Sequence, residues 1–79
     1  MRVRVFVTLK PAVLDPAGKA VEQSLHSLGY REVAGVRLGK YLELQVEEPD
    51  REKARARVEE MCRRLLANTV VEDFRVELP

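Results

Sequence analysis

The sequence predicts an α+β fold of order β-α-β-β-α-β. This is a two-layer sandwich related to the ferredoxin-like arrangement, with both helices on one face of an antiparallel sheet. Three observations predict it. The apolar period switches between two residues and about 3.6 residues along the chain. Each switch falls at a proline, glycine, aspartate or asparagine. The length, 79 residues, suits a single domain over residues 1–79 with one thin core.

Val3, Val5, Val7 and Leu9 alternate with Arg2, Arg4, Phe6 and Thr8, the period of a strand with one buried face. Lys10 and Pro11 end it, because proline cannot donate to a ladder. Asp15-Pro16 then opens a helix, the aspartate capping free amides and the proline suiting the first helical position. Ala20, Val21, Ser24, Leu25 and Leu28 share one face of it, and Gly29 suits its left-handed end. Val33, Val36 and Leu38 read as a loosely patterned strand, with Gly39-Lys40 as a tight turn. Leu42, Leu44 and Val46 alternate with Tyr41, Glu43, Gln45 and Glu47 as the next strand. Asp50 caps a second helix whose apolar positions are Ala54, Val58, Met61, Cys62, Leu65 and Leu66. Glu59 with Arg63, and Glu60 with Arg64, stand in the favourable i,i+4 order. Asn68 ends that helix, and Phe74, Val76 and Leu78 form a last alternating strand.

Composition narrows the function. Fourteen basic against thirteen acidic residues leave a net charge of +1, without the basic excess of a nucleic-acid binder. Aromatics at Phe6 and Tyr41 fall roughly where RNA-recognition domains of this topology stack bases. Glu43 and Glu47 would share their face and repel phosphate, and the basic-Gly-aromatic motif is missing. The longest apolar runs are three residues, such as Val5-Phe6-Val7, so no membrane partner is expected. With no apolar leader after Met1, a cytoplasmic location is the expectation.

Catalytic chemistry has little to work with. The single cysteine, Cys62, falls on a helix face as a small core residue. The single histidine, His26, lies off the apolar stripe and reads as exposed and structurally neutral. No phosphate-binding glycine loop, nucleophile–base pair or metal-ligand spacing occurs. Glu47 and Glu48 are neighbours on a strand and point to opposite faces, so they do not share an ion. Arg51, Lys53, Arg55 and Arg57 spread around a solvated helix face. No catalytic, cofactor-binding or metal-binding residue is therefore expected on this chain. Two aromatics on a charged sheet face point instead to self-association through Phe6 and Tyr41.

The stretch Leu9 to Lys19 (LKPAVLDPAGK) holds two prolines and two lysines around a helix start. An ordered connection with Val13 and Leu14 tucked under the helix would explain most of it. It would not explain Lys10 and Lys19 near a helix N-terminus, where the dipole disfavours cations. Here the sequence resembles the PurS family, small subunits of bacterial and archaeal phosphoribosylformylglycinamidine synthase. The resemblance is carried by Leu9–Glu22 (LKPAVLDPAGKAVE), Leu28–Tyr30 (LGY), Val36–Leu44 (VRLGKYLEL) and Glu60–Phe74 (EMCRRLLANTVVEDF). It spans the whole chain in order, departing from the family pattern at Ala12, Ala17, Thr69 and Phe74.

The resemblance implies a non-catalytic accessory subunit in de novo purine biosynthesis. The ligase complex converts formylglycinamide ribonucleotide to formylglycinamidine ribonucleotide, using ATP and glutamine. The large synthase subunit binds ATP and Mg2+, a glutaminase subunit releases ammonia, and PurS-like chains bridge the two as dimers or tetramers. Lys10, Pro11, Asp15, Lys19, Gly39 and Lys40 are then the expected partner-binding residues. A small ligand-binding regulatory module of similar topology is the alternative, with Gly35 and Gly39 as its only material for a ligand loop.

Overall fold

Alternation in the first strand organises the molecule. The strand β1 (Arg2–Leu9) buries Val3, Val5 and Val7 completely and leaves Arg2, Arg4 and Thr8 in solvent. In the computed structural model, which describes residues 1–79, β1 is the central strand of a three-stranded antiparallel sheet. Its neighbours are β2 (Gly39–Gln45) and β3 (Glu72–Glu77), in the order β2-β1-β3. Val3 pairs with Leu44, Val5 with Leu42 and Val76, and Val7 with Phe74. Directly opposed residues share a face, so these side chains make one apolar surface. The helix α2 (Arg51–Met61) lies on it, burying Ala54 and Val58. Cys62, fully buried, and Ala67 complete the core.

The first helix, α1 (Pro16–Ser27), begins and ends as its sequence directs. Asp15 Oδ1 accepts from the Gly18 amide at 2.9 Å, Pro16 stands at the first helical position, and Gly29 follows with φ +103°. The second helix is capped by Asp50, which accepts from the Lys53 amide at 3.1 Å. Of the two expected ion pairs on it, Glu60–Arg64 forms at 3.6 Å, and Arg57 also reaches Glu60 at 3.7 Å.

The α+β class with antiparallel strands and two helices stands, but four local expectations need correction. Val33 to Leu38 do not form a strand. Gly35 takes φ +68°, which breaks the pleat, and the amides of Gly35, Val36 and Leu38 are taken by carboxylates rather than by a neighbouring strand. Gly39-Lys40 is not a hairpin turn. Both residues belong to β2, pairing with Thr8 and Val7, and a Cβ on Gly39 would stand 2.4 Å from the Val7 carbonyl oxygen. The second helix does not run regularly to Asn68. It widens into a π turn over Cys62–Leu66, closed by Ala67 N–H to Cys62 O at 3.0 Å. The wider turn shifts the apolar register and leaves Leu65 83% exposed. Asn68 makes a turn of its own, its Oδ1 accepting from the Val70 amide at 3.2 Å.

The fourth correction concerns layers. Only α2 lies on the sheet; α1 stands away from it as an arm, with Gly18 its one buried residue. The molecule is therefore drawn out to 48 × 25 × 14 Å, with a radius of gyration of 15.8 Å. A compact chain of this length would have about 12 Å.

Val5→Ala tests the core directly. It removes two fully buried methyl groups between β2, β3 and α2, at a cost of about 2–3 kcal/mol including the cavity left behind. Urea unfolding should show a lower midpoint with an unchanged slope; an unaltered midpoint would mean that the valine ladder does not hold the sheet.

Candidate functional site

The residues singled out in the sequence separate into an arm, a sheet face and one isolated lysine. The arm is built on carboxylates. Asp15 is 7% exposed, the one charged residue in the buried set. While Oδ1 caps α1, its Oδ2 accepts from the Leu38 amide at 2.9 Å. The Leu38 bond first, then the Gly18 bond, hold its carboxyl below the usual carboxylate range; the Arg37 charge adds to this and burial opposes it. One turn further on, Glu22 Oε1 accepts from Gly35 N–H at 2.8 Å and Val36 N–H at 3.4 Å. These bonds, the Gly35 one first, lower its pKa as well. Gly18 is required where it stands, because a Cβ there would meet the Val36 carbonyl oxygen at 2.4 Å.

Two further residues lock the arm. Arg37 donates to the carbonyls of Lys10 and Val13, both at 2.9 Å. His26 is half-buried rather than exposed and neutral, and its Nε2 donates to Val33 O at 2.6 Å. Sequence reasoning missed Glu22, His26 and Arg37. Their partners are backbone atoms between 13 and 27 positions away for the arginine and glutamate contacts, or seven for the histidine, and no local motif records such pairing.

The expected partner-binding residues do not form one patch. Pro11 is exposed beside Thr8, Leu9 and Arg37 in a shallow cleft of about 340 Å³. Lys19 is exposed on α1. Lys10 is engaged, with Nζ 3.3 Å from Asp73, and Asp15 is committed to the arm. Lys40 projects to the α2 side of the sheet, where Nζ donates to Leu66 O at 3.0 Å and satisfies the end of the π turn. Gly39 lies in β2, away from Gly35 in the arm, so the two glycines make no common ligand loop. Val13 is half-buried, whereas Leu14 does not tuck under the helix and is 76% exposed.

The face of the sheet opposite α2 carries a lattice of charges around two rings. Phe6 and Tyr41 pair across β1 and β2 with centroids 5.1 Å apart, and the Arg75 guanidinium lies 4.3 Å from the Phe6 centroid. Tyr41 donates to Glu43 at 2.8 Å, Arg2 reaches Glu43 at 2.6 Å, and Arg4 and Arg75 reach Glu77 at 3.5 and 2.9 Å. The Tyr41 bond first, then Arg2, lower the Glu43 pKa, while the bond to Glu43 raises that of Tyr41. Phe6 is thus half-covered within one chain, and Tyr41 remains 50% exposed. No three carboxylate, imidazole or thiol groups gather where they could hold a metal ion. Burial raises the Cys62 thiol pKa and keeps it within the core.

Comparison with known proteins gives these surfaces a context. Residues 2–79 match the family model PurS, phosphoribosylformylglycinamidine (FGAM) synthase. The PurS subunit of phosphoribosylformylglycinamidine synthase from Bacillus subtilis is 54% identical over 77 residues, covering 98% of this chain and 90% of the relative. A crystal structure of B. subtilis PurS superposes with a TM-score of 0.85 at 55% identity, over 96% of this chain and 94% of that one. A chain in the structure of PurLQS from Thermotoga maritima superposes with a TM-score of 0.88 at 36% identity, over 96% and 93%.

The arm should respond to acid. Asp15 and Glu22 have pKa values lowered by folding, so their contribution is complete above the usual carboxylate pKa of about 4. It is lost as pH falls through the folded values below that. Backbone amide NMR between about pH 6 and 2 should show Gly18, Gly35 and Leu38 shifting together at the acid end. In Asp15→Asn the acid transition should vanish at Gly18 and Leu38 and persist at Gly35. Amides unmoved to the bottom of the range would mean that these carboxylates do not hold the arm.

Proposed function

Since the chain belongs to the PurS family of FGAM synthase, we propose that it is the small accessory subunit of that ATP-dependent ligase, acting in purine biosynthesis. The observation that carries this reading is the family fold combined with surfaces that do not converge on a pocket. Its charged and apolar groups lie on an arm, a loop and a sheet face, the distribution of a chain that binds other proteins. A relative of the same fold is part of the PurLQS assembly.

In this reading the large synthase subunit holds ATP and Mg2+ and aminates formylglycinamide ribonucleotide, while the glutaminase subunit releases ammonia from glutamine. The present chain, as a dimer or tetramer, bridges the two in the cytoplasm. A bridge has a chemical purpose here. Ammonia that escapes into bulk water is protonated and is no longer a nucleophile, so holding the two active sites in register preserves it. We assign the exposed part of the Leu9–Lys19 segment to the large subunit, with Pro11 and Lys19 in contact. Lys10 and Asp15 shape that region from behind, while Gly39 and Lys40 stand apart from it in β2. The ring pair Phe6–Tyr41 is assigned to contacts between copies of this chain. No helix is long and apolar enough to cross a membrane.

Reconstitution tests the reading. With purified large and glutaminase subunits, glutamine, ATP, Mg2+ and formylglycinamide ribonucleotide, glutamine-dependent product should form only when this chain is added. Ammonia-dependent product should need only the large subunit. If both activities are indifferent to the chain, the accessory role is wrong. Two variants locate the contacts. Lys10→Glu with Lys19→Glu should leave the chain folded and weaken capture of the large subunit, and unchanged capture removes the loop as an anchor. Phe6→Asp should lower the mass of the largest assembly in light scattering, and an unchanged mass removes the sheet face from self-association.

A further inference from the structure

Arg37 is a cation held in place without a counter-ion. Its Nη2 donates to the carbonyls of Lys10 and Val13, both at 2.9 Å, which uses both hydrogens of that nitrogen. Carbonyls are neutral, so the positive charge remains whole. None of the chain's ion pairs includes Arg37. Asp15 feels the charge, but its two oxygens are already taken by the Gly18 and Leu38 amides. The Nε–H and Nη1–H groups make no bond within the chain, and the residue is exposed.

The loop that Arg37 touches has other supports. Val13 N–H donates to Lys10 O at 2.9 Å, closing a turn with Pro11 at its second position. The Lys10 amide donates to Val71 O at 2.9 Å, and its Nζ reaches Asp73 at 3.3 Å. With the turn fixed in these ways, the two Arg37 bonds act chiefly on the guanidinium. They hold it in one orientation, so the freedom that a long side chain gives up on binding is already lost.

The held guanidinium lines the cleft of about 340 Å³ whose other residues are Thr8, Leu9 and Pro11. Leu9 and Pro11 are apolar, and Thr8 adds a hydroxyl. Under a partner, such walls exclude water, and a charge-assisted hydrogen bond inside them gains strength. The neighbouring acids are spoken for: Asp73 pairs with Lys10, and Glu72 accepts from the Asn68 amide at 2.7 Å. Lys19, exposed on α1, adds a second cation without an ion pair. The free charges of this region are therefore positive, and their complement is an acid.

We propose that this cleft receives an aspartate or glutamate side chain of the large synthase subunit, with Arg37 as its fixed partner. This rests on the assignment of the Leu9–Lys19 segment to that subunit and deepens it, by naming the chemical group the segment meets. Arg37 takes no part in the chemistry. It orients the docked subunit and sets how tightly the chain is held.

Arg37→Gln tests the charge, since it keeps two N–H donors for the turn and the turn has its own supports. The free variant should keep the circular dichroism and the Gly18 amide resonance of the unaltered chain. Its capture of the large subunit should weaken about tenfold at low salt. The difference should shrink as sodium chloride rises from about 50 to 300 mM. Arg37→Lys keeps the charge without the planar fork, and should retain most of the salt dependence and part of the affinity. Unchanged capture by Arg37→Gln, or a loss equal at every salt concentration, overturns the inference. A second measurement uses the amine that Arg37→Lys introduces. Treating the complex of that variant with a carbodiimide, which couples amines to carboxylates in contact, should join position 37 to an acidic residue of the large subunit, as located by peptide mass spectrometry. Absence of that product, or coupling of position 37 only to a second copy or to the glutaminase, also overturns it. If the unaltered chain does not capture the large subunit, the segment assignment fails and takes this inference with it. If the unaltered chain captures normally and Arg37→Gln does too, the inference fails alone.

Discussion

The shape of this protein depends on one carboxylate. Asp15 caps α1 with one oxygen and receives the Leu38 amide with the other, so a single buried side chain sets the angle between the helix and the strand that follows it. A carboxylate shared by two backbone donors is a strong, directional clamp. It also removes the Leu38 amide from any ladder. From that clamp follow the failure of residues 33–38 to pair as a strand, the projection of α1 as an arm, and the open half of the sheet. Glu22, His26 and Arg37 reinforce the same geometry from neighbouring positions.

The two faces of the sheet then take different roles. On the α2 side, three fully buried valines anchor a core that one helix covers only in part. On the other side, arginines and glutamates alternate across all three strands and surround a ring pair capped by a guanidinium. Exposed ion pairs of this kind add little stability. They do make a flat, charge-patterned surface that suits oriented docking between proteins. A chain with one half-covered apolar face, one charged face and an arm is well equipped to hold other subunits in fixed relation. That matches the place of its family in a multi-subunit ligase.

Legibility in the sequence followed the range of the interactions. Both helix caps, the proline at the start of α1 and the glycine after it act within four residues, and all could be read directly. The alternation of β1 and β3 was equally plain. The π turn was not, because a single added residue changes register without changing composition. Residues 33–38 have a pattern close enough to alternation to pass for a strand; the carboxylates that take their amides lie a helix away. Among the candidate contact residues, Tyr41, Pro11 and Lys19 are on the surface as their types imply. Lys10 and Lys40 turned out to be held by Asp73 and by the Leu66 carbonyl, partners that no spacing rule could name.

By itself, the sequence determined the class of fold, both helices and three of the four strands it predicted, the core valines and the family, because periodicity, caps and ordered motifs are local records. It also determined that α1 has an apolar stripe needing cover. Only the tertiary structure decided where that stripe points. The reason is physical: backbone amides donate to whichever acceptor lies within reach in space, and for Gly35, Val36 and Leu38 those acceptors are the Glu22 and Asp15 carboxylates rather than a neighbouring strand. The same choice left Leu42 and Leu44 of β2 half-buried, with only α2 on that face of the sheet.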